Sequence, residues 1–450
     1  MTLPPAAPAE GSGPASQAGP GPARAAALMA GIVVGAGFLF NFVARGVIDT
    51  FTVFLLPLEA EFGWQRSTLT GVYATYLVAA GLASPASGAV LERWGPRATY
   101  GGGLVALILG MAGASRADSL WQFYLFHGVF GGIAASGLGI VPSSVLIGRW
   151  FDRNLSIAMA IAYAGLGSGI LVIVPIAQRL VEAGGWRGAY RGLAMGLVVL
   201  VPLVLVLPWG RIRRGDPRIM AARARAAAAA APPAGADGSA RIPVGWTIRT
   251  AMRRAEFWLL VQCFFFTACA SYSVVVQTVA FLISEGFPPL DAALAFGFSG
   301  MLSIIGVLGA GWLAARWGFR MTATLSFAAT LVGVLALAGF ATFHLGALVW
   351  LHVVAFGLSQ GARGPIVATL CSRIFANGAS GSIFGAIFMA MSFGSALGAW
   401  ITGFLHDLTG DYRPAFLFAI LSVLGAVAPF WYSRRLVDPG PLPPPNGDPR

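Results

Sequence analysis

Two arginines and an aspartate stand inside long apolar stretches, where a charged side chain is costly. Arg45 and Arg363 each lie in a stretch long enough to cross a bilayer, and Asp49 follows Arg45 by four residues. A central arginine raises the insertion free energy of a membrane helix by about 2.5 to 3.5 kcal/mol, so it is expected to have a polar partner or a functional role. A guanidinium fits a carboxylate with two parallel donors and keeps its proton. These positions predict a binding site for a small organic anion.

Arg45 belongs to a polar stripe on the first apolar segment. Asn41, Arg45 and Asp49 follow one another at intervals of four residues, so a helix places them on one face. One interpretation makes Asn41 and Arg45 contacts to a substrate in a central cavity. The alternative is an ion pair near the outer headgroups, in which Arg45 extends to the membrane surface and does nothing else.

Arg363 lies in the tenth apolar segment, in a run rich in glycine. Glycines and Pro365 flank it within residues 359–365, which leaves space and free backbone groups beside the guanidinium. We expect Arg363 to contact the anion, and the alternative is a structural bridge to another helix. Neutral contacts are expected from Gln360 in the same run and from Tyr272 and Gln277 in the seventh segment.

Three titratable residues are candidates for carrying a proton. His352 precedes Arg363 by eleven residues, about three helical turns, so both project from one face. His127 occupies the corresponding place in the fourth segment. Imidazole changes charge near neutral pH, and Asp49 does so when it is partly desolvated. The alternative for each histidine is hydrogen-bonded packing.

Membrane-spanning helices must position these residues. The chain is 57% hydrophobic and only 10% charged, against about 25% charged in soluble proteins. Alternating strand patterns are absent, so the predicted fold is an all-α polytopic membrane protein of twelve transmembrane helices in two pseudo-symmetric six-helix bundles. The apolar segments cover residues 26–56, 67–91, 98–115, 120–148, 154–182, 188–208, 256–284, 291–315, 321–342, 345–372, 380–406 and 411–433.

The segments divide the chain into two bundles joined by a basic linker. We predict a disordered tail, a first bundle, an arginine-rich linker, a second bundle and a second disordered tail at residues 1–24, 25–208, 209–255, 256–433 and 434–450. Within the linker, residues 246–257 suggest a short surface helix or a plain tether. With both termini inside, 21 of the 29 arginines fall on the inner side, which predicts a bacterial inner membrane protein with cytoplasmic termini.

Several function classes are excluded by the same residues. The net charge of +12 comes from arginines, most of which lie between the apolar segments. This placement indicates membrane topology rather than nucleic-acid binding. The three cysteines lie in or beside apolar segments, and the four histidines have no ligand spacing, so we expect no metal, no cofactor and no catalysis. A sensor would be expected to carry a further soluble domain. We expect a monomer.

An internal repeat relates the two halves. Residues 88–97 and 311–320 share Gly, Arg, Trp, Gly and Arg at corresponding positions. The offset is constant at 223 residues, for example between Gly95 and Gly318. Such a repeat is typical of transporters built from duplicated bundles. Further pairs keep nearly the same offset: Pro142 and Pro365, Arg149 and Arg373, His127 and His352, and Arg187 and Arg413.

The sequence between segments 2 and 3 resembles the major facilitator superfamily, whose motif there has the form G-x-x-x-D-R-x-G-x-R. The matching residues are Gly88, Glu92, Arg93, Gly95 and Arg97, with glutamate for the usual aspartate. The resemblance implies a gate latch at the cytoplasmic ends of helices; the alternative is simple anchoring by positive charge. The second copy keeps Arg316 and Arg320 but has Ala315 for the acid.

A narrower resemblance is to the monocarboxylate and oxalate–formate antiporter branch. It rests on residues 54–64, 149–151 and 185–190, and implies a twelve-helix alternating-access carrier in which helices 1, 4, 7 and 10 line the cavity. The chain departs from monocarboxylate transporters at Asp49, where they carry a lysine, and at Ser303 and Val307, where they carry an Asp/Arg pair.

These observations predict a secondary active transporter that moves a small organic anion, such as a carboxylate, by alternating access with proton coupling. The alternative is an efflux pump for hydrophobic compounds. Exporters of this fold often carry a Gly-rich stretch that ends in Gly-Pro in helix 5, whereas here residues 165–169 precede a Val174-Pro175 pair.

Overall fold

A computed structural model describes residues 22–151, 155–230, 246–361, 363–375, 380–433 and 436. The described residues form helices and short connections, with no strand among them. Residues 1–21 of the predicted first tail, 231–245 of the linker and nearly all of the second tail lie outside this description. Residues 22–24, which were predicted as tail, instead form the start of the first helix. The helix begins at Pro22, and proline is favoured at a first helical position.

The helices follow the predicted segments in order and are numbered α1 to α12. Their bounds are α1, Pro22–Asp49 and Phe51–Phe62; α2, Arg66–Arg93; α3, Pro96–Ala114; α4, Leu120–Trp150; α5 and α6, Leu155–Val198, interrupted at Gly184 and Gly185, then Val201–Val206; α7, Ala255–Val275 and Thr278–Ser284; α8 and α9, Pro289–Phe343, interrupted at Gly318; α10, Gly346–Gln360 and Arg363–Ile374; α11, Ser380–Thr409; and α12, Arg413–Val427 and Pro429–Tyr432.

Nine helical spans of the described residues are long and apolar enough to cross a membrane. One of them, Ile157–Val206, contains both α5 and α6. Together with α3 and the shorter α10, the arrangement is consistent with the twelve predicted helices. The predicted linker is partly helical where it is described, in Trp209–Arg214, Pro217–Ala230 and Ile248–Ala251.

The two halves, α1–α6 and α7–α12, repeat the same backbone conformations. Seven described glycines have positive φ, a region that favours glycine because it has no Cβ. One is Gly215 in the linker, and the other six pair between the halves at offsets of 223 to 225: Gly63 and Gly286, Gly95 and Gly318, and Gly185 and Gly410. The backbone therefore confirms the repeat that the sequence predicted.

Helices α1, α4, α7 and α10 are each interrupted within their length, as α6 and α12 are near their ends. Helix α1 breaks after Asp49, α4 at Gly139, α7 between Val275 and Thr278, and α10 after Gln360. A break releases backbone groups from helical hydrogen bonds, which a membrane protein tolerates where they line a protein interior or a cavity. These are the four helices that the family resemblance places around the central cavity.

Glycines let helices approach closely inside each half. Gly165 and Gly169 of α5 lie against the carbonyl oxygens of Phe38 and Phe42 in α1. The second half repeats this contact between α11 and α7, with Gly394 on Phe265 and Gly398 on Cys269. Small residues four apart are typical of tightly packed membrane helices, since they let two backbones touch.

Glycines also bring helices of the two halves together, in two helix pairs. Helix α2 packs on α11, where Gly403 lies against Ser67 and Thr70, and α5 packs on α8, where Gly167 lies against Gly300. The end of the molecule that carries the linker is called the linker face, and the opposite end, with the connections between α1 and α2 and between α11 and α12, is called the far face. All these contacts between the halves lie between the middle and the far face.

Candidate functional site

A charged cluster joins the two halves near the break in α1. Arg45 Nε donates to Asp49 Oδ2 at 2.7 Å, and Arg45 Nη1 donates to the hydroxyl of Tyr272 in α7 at 3.1 Å. The hydroxyl of Tyr73 in α2 donates to the second carboxylate oxygen of Asp49 at 2.6 Å. The predicted substrate contacts Arg45 and Tyr272 therefore meet the predicted proton carrier Asp49 in one place, together with Tyr73, which no sequence pattern singles out.

Burial differs sharply within this charged cluster. Asp49 is fully buried, whereas the Arg45 side chain keeps 20% of its surface exposed. Hydrogen bonds to a charged group contribute about 1.5–3 kcal/mol each, so Tyr73 and Arg45 together hold the Asp49 carboxylate firmly. Arg45 retains donor capacity on an accessible side, so the guanidinium can receive a further anion there.

Asn41 faces away from the charged cluster, although it shares the predicted stripe. Its amide nitrogen donates to the Gly37 carbonyl oxygen at 2.8 Å and to Ser143 Oγ in α4 at 3.2 Å, and lies 3.4 Å from the Ala162 carbonyl oxygen in α5. These contacts place Asn41 inside the first half. The structure thus separates it from Arg45, because the side chains diverge although their Cα atoms share a face.

The two predicted glutamines occupy helix breaks in the second half. Gln277 is buried at the break in α7, and neither end of its amide has a partner among the described residues. It lines a small cavity together with Ser273 and Tyr412. Gln360 ends the first part of α10 and is half-buried. Neither glutamine contacts the charged cluster.

Arg363 is buried between α10 and α9. Its Nε donates to Ser326 Oγ at 3.1 Å, and its Nη2 donates to Thr330 Oγ1 and to the Ser326 carbonyl oxygen. The guanidinium lies 4.5 Å from the centre of the Phe327 ring, and Nη1 has no partner in the described part of the chain. These contacts favour the bridging interpretation, and substrate contact at Arg363 stays a prediction.

Both candidate histidines are buried within their own halves. His352 Nδ1 lies 2.9 Å from the Gly333 carbonyl oxygen in α9, so this nitrogen carries the proton, and the ring stacks on Phe356. His127 Nδ1 lies 3.2 Å from the Tyr190 hydroxyl. His352 and Arg363 do share a face, as predicted, but that face packs on α9. Proton transfer at either histidine stays a prediction.

The motif between α2 and α3 contacts the linker. Gly95 has φ +86° and lies beside the Arg213 side chain, whose Nη2 donates to the Glu92 carbonyl oxygen at 2.8 Å. Arg93 packs over the adjacent Trp94 ring, and Arg97 is exposed. At Gly88 an added Cβ would meet nothing within 4 Å. A gating role for these residues stays a prediction.

The second copy of the motif makes different contacts. Gly318 repeats the conformation of Gly95 with φ +77°. Arg320 lies over the Trp431 ring at 3.8 Å from its centre, and Arg316 lies 5.8 Å from the centre of the Trp312 ring. The two copies therefore share their turn geometry, while their arginines have different partners.

A second polar cluster, the far-face cluster, joins the halves where α2 begins. Asp407 at the end of α11 accepts hydrogen bonds from the backbone nitrogens of Arg66, at 2.9 Å, and Ser67, at 2.7 Å. A carboxylate at a helix N-terminus satisfies free N–H groups and the helix dipole. Here the capping residue comes from the other half of the molecule.

The side chain of Arg66 completes the far-face cluster. It pairs with Glu59 Oε2 at 2.7 Å within the first half, and in the second half it contacts the Tyr412 hydroxyl and His406 Nε2, the latter at 3.0 Å. Because a guanidinium only donates, His406 Nε2 is unprotonated in this state. No local sequence pattern predicts this cluster; its signal in the sequence is limited to opposite charges at helix ends of the two halves.

Comparisons with known proteins agree with this architecture. A family model described as Major Facilitator Superfamily matches residues 34–399. Monocarboxylate transporter 13 of Bos taurus is 28% identical over 389 residues, which cover 86% of this chain and 85% of that protein. Monocarboxylate transporter 11 of Mus musculus is 27% identical over 399 residues, covering 86% and 83% respectively.

Solved structures share the fold. A D-xylose-proton symporter superposes with a TM-score of 0.64 at 14% identity, covering 90% of this chain and 96% of that one. A bacterial homologue of the human lysosomal transporter Spinster gives 0.67 at 13% identity, covering 93% and 98%. Since the family model covers most of a multi-pass helical chain, this protein belongs to the major facilitator superfamily and resembles its monocarboxylate transporters.

Proposed function

We propose that this protein is a secondary active transporter that moves a small organic anion, a carboxylate, across the cell membrane by alternating access with proton coupling. The observation that carries the proposal is the charged cluster of Arg45, Asp49, Tyr73 and Tyr272. The family and the similar monocarboxylate transporters support transport rather than catalysis. The working unit in this proposal is a monomer.

The charged cluster suits alternating access because it belongs to both halves. Arg45 lies in discontinuous α1 and Tyr272 in discontinuous α7, so rocking of the halves changes the distance between them. An anion bound to Arg45 therefore experiences the rearrangement directly. Arg45 is a better candidate than Arg363 because it is accessible and lies at the interface, whereas the Arg363 guanidinium is committed to α9.

Proton coupling follows from competition for Arg45. When Asp49 is protonated, its charge is lost and its hold on Arg45 weakens, so the guanidinium can bind a substrate carboxylate through two parallel hydrogen bonds. One proton and one anion add no net charge, so the loaded carrier crosses the membrane potential without electrical work. Release of both on the other side restores the Arg45–Asp49 pair.

The orientation in this proposal places the linker face in the cytoplasm. The arginine distribution supports it, since 21 of the 29 arginines belong to the tails, the linker and the connections that the sequence assigns to the inner side. In this orientation the far-face cluster closes the outer side, and an anion reaches Arg45 from the cytoplasmic side. In the opposite state the far-face contacts separate and the linker face closes.

Uptake by purified protein in proteoliposomes tests the proposal. We expect radiolabelled carboxylates from a panel of mono- and dicarboxylates to accumulate faster under an inward proton gradient than without one. Arg45→Gln should lower this uptake about a hundredfold, since it removes charge-assisted hydrogen bonds worth about 3 kcal/mol. Asp49→Asn should abolish gradient-driven uptake yet keep exchange of internal for external substrate, because exchange requires no proton release.

Arg413→Gln is the matched control, since this arginine is exposed on the far face and, among the described residues, forms its ion pair with nearby Asp411. It should transport like the wild-type protein. Uptake by Arg45→Gln at the wild-type rate would remove the binding role of Arg45. Export of hydrophobic dyes with no carboxylate uptake would instead favour the alternative function, an efflux pump for hydrophobic compounds.

A further inference from the structure

A cavity of about 380 Å³ opens on the linker face, away from the charged cluster. Its lining combines three basic side chains with apolar ones: Arg97, Arg211, Arg214, Leu205, Leu207 and Trp209. No acidic residue belongs to the lining. A concave site with several guanidiniums and one apolar wall fits an amphipathic anion.

The three arginines of this cavity have no counter-ion in the described part of the chain. Among the residues that the structure describes, none of Arg97, Arg211 and Arg214 takes part in an ion pair. Like charges around one cavity repel each other, and the attraction of an anion bound between them offsets that repulsion. Arg97 also lies in the first turn of α3, where the helix dipole favours a negative charge.

The wall of the cavity is held in place by the start of the linker. Trp209 is buried, stacks on Tyr100, and donates from its indole nitrogen to the Val204 carbonyl oxygen at 2.6 Å. Further along, the Ile212 carbonyl oxygen accepts from Trp150 Nε1 at 2.9 Å. The arginines of this segment are therefore presented from a fixed backbone, which lowers the entropy cost of binding.

The cavity lies where α6 leaves the membrane. The membrane-spanning stretch Ile157–Val206 ends at its edge, and its last residues, Leu205 and Val206, are 57% and 82% exposed. Apolar side chains with that exposure contact lipid tails when the helix is in a bilayer. The basic residues follow within a few positions, at the depth of the headgroups.

We propose that this cavity binds an anionic phospholipid. Arg97, Arg211 and Arg214 hold the phosphate of the headgroup, and the acyl chains run along Leu205 and Val206. Basic pockets between helices at a membrane surface recognise acidic lipid headgroups in this manner. A free phosphate shares the headgroup chemistry but cannot use the apolar wall.

The bound lipid connects the linker to the motif between α2 and α3. Arg213, between two of the cavity arginines, donates to the Glu92 carbonyl oxygen, and Arg149 Nη1 donates to the Arg213 carbonyl oxygen at 2.9 Å. An occupant that bridges Arg97 to Arg211 and Arg214 therefore strengthens the attachment of the linker to the first half.

Native mass spectrometry of the purified full-length protein tests lipid binding without reference to transport. The protein is titrated with phosphatidylglycerol, with phosphatidylcholine of the same chains, and with inorganic phosphate. We expect a phosphatidylglycerol adduct that R97Q/R211Q/R214Q weakens by about tenfold or more, and that R97K/R211K/R214K retains in part. Phosphatidylcholine and inorganic phosphate should give weaker adducts.

The control is R218Q/R225Q/R249Q, which removes the same charge from exposed linker arginines outside the cavity. It should keep the wild-type affinity for phosphatidylglycerol. Equal weakening in both triple variants would mean that net charge alone attracts the lipid, and inorganic phosphate binding as tightly as the lipid would identify a free-anion site; either result overturns the proposal. Unchanged thermal unfolding of the cavity variant verifies that it is folded.

Discussion

Arg45 and Arg363 are both arginines within membrane helices, yet their surroundings give them different tasks. Arg45 pairs with the carboxylate of Asp49 and reaches a tyrosine of the other half. Arg363 donates to hydroxyl and carbonyl oxygens of α9, and one of its nitrogens stays unpartnered within the described chain. A buried charge without a counter-ion keeps much of its desolvation cost, so Arg363 fixes a helix contact without adding much stability.

We expect Arg363→Met to leave the thermal unfolding midpoint in detergent unchanged or higher, because methionine fills similar volume without a buried charge. Its hydroxyl partners keep other hydrogen bonds, since Thr330 Oγ1 also donates to Ser359 Oγ and Ser326 Oγ donates to the Ser359 carbonyl oxygen. Carboxylate KM in proteoliposomes should change by less than about threefold. Arg363→Ala loses the same charge but leaves a cavity, so it should lower the midpoint. A large-to-alanine change in a core lowers the free energy of unfolding by about 2–5 kcal/mol.

The two variants separate the roles of Arg363. If Arg363→Met raises the substrate KM more than about tenfold while the unfolding midpoint is unchanged, Arg363 contacts the anion as the sequence suggested. A lower midpoint with unchanged KM would mean that the hydrogen bonds to α9 outweigh the desolvation cost.

At the scale of helices, the glycine contacts between α1 and α5 and between α7 and α11 define the packing inside each half. A methyl group on Gly169 would overlap the Phe42 carbonyl oxygen, and one on Gly398 would lie 2.5 Å from the Cys269 carbonyl oxygen. Backbone atoms on both sides leave no flexible neighbour to move aside. The helix axes themselves must separate to accept a larger residue.

Gly169→Ala and Gly398→Ala should therefore each destabilise the protein by about 1–3 kcal/mol, a typical cost of overpacking. Thermal unfolding in detergent measures the change as a lower midpoint. Gly196→Ala in α6 is the matched control, because nothing lies within 4 Å of the added methyl. Equal midpoints for Gly169→Ala and Gly196→Ala would contradict the close approach of α1 and α5.

The far-face cluster is a helix-end contact between the halves, and in the proposed alternating-access cycle it favours the closed state of that face. Asp407→Ala should shift the protein towards a far-face-open state by about a hundredfold or more, because it removes two charge-assisted caps on α2 at about 1.5–3 kcal/mol each. Spin labels at Arg116→Cys and Leu345→Cys, both exposed, report the opening as a longer distance by pulsed electron resonance.

The background for this measurement replaces the three buried native cysteines. The control is Asp411→Ala, which removes an exposed carboxylate whose pair with Arg413 stays inside the second half. Such a pair contributes about 0–1 kcal/mol, so the distance should not change. An unchanged distance in Asp407→Ala as well would show that the cap does not control opening.

At the scale of the whole molecule, the arginine distribution predicts how the protein sits in the membrane. Arg225→Cys lies on the exposed linker helix Pro217–Ala230, and Leu345→Cys lies at the far face. In intact cells a membrane-impermeant maleimide should label only the far-face cysteine, and in inside-out vesicles only the linker cysteine. The reverse pattern would contradict cytoplasmic placement of the linker.

The sequence alone determined the helical class, the order of the helices and the duplication of the halves. Hydrophobic blocks of spanning length leave little choice of fold in a bilayer, because backbone groups must pair inside each segment. The repeat could be predicted from the sequence because turns that need positive φ keep their glycines. Gly95 and Gly318 occupy corresponding positions of the repeat and have the same backbone conformation in the structure.

Only the tertiary structure decided which polar residues meet. Asn41 and Arg45 share a helical stripe, but one reaches α4 and the other α7, since contacts depend on side-chain direction and neighbouring helices. Asp407 and Arg66 are 341 positions apart, a pairing that no local pattern encodes. Helical periodicity is a property of one segment, whereas the charged cluster, the far-face cluster and the cavity on the linker face depend on how distant segments pack.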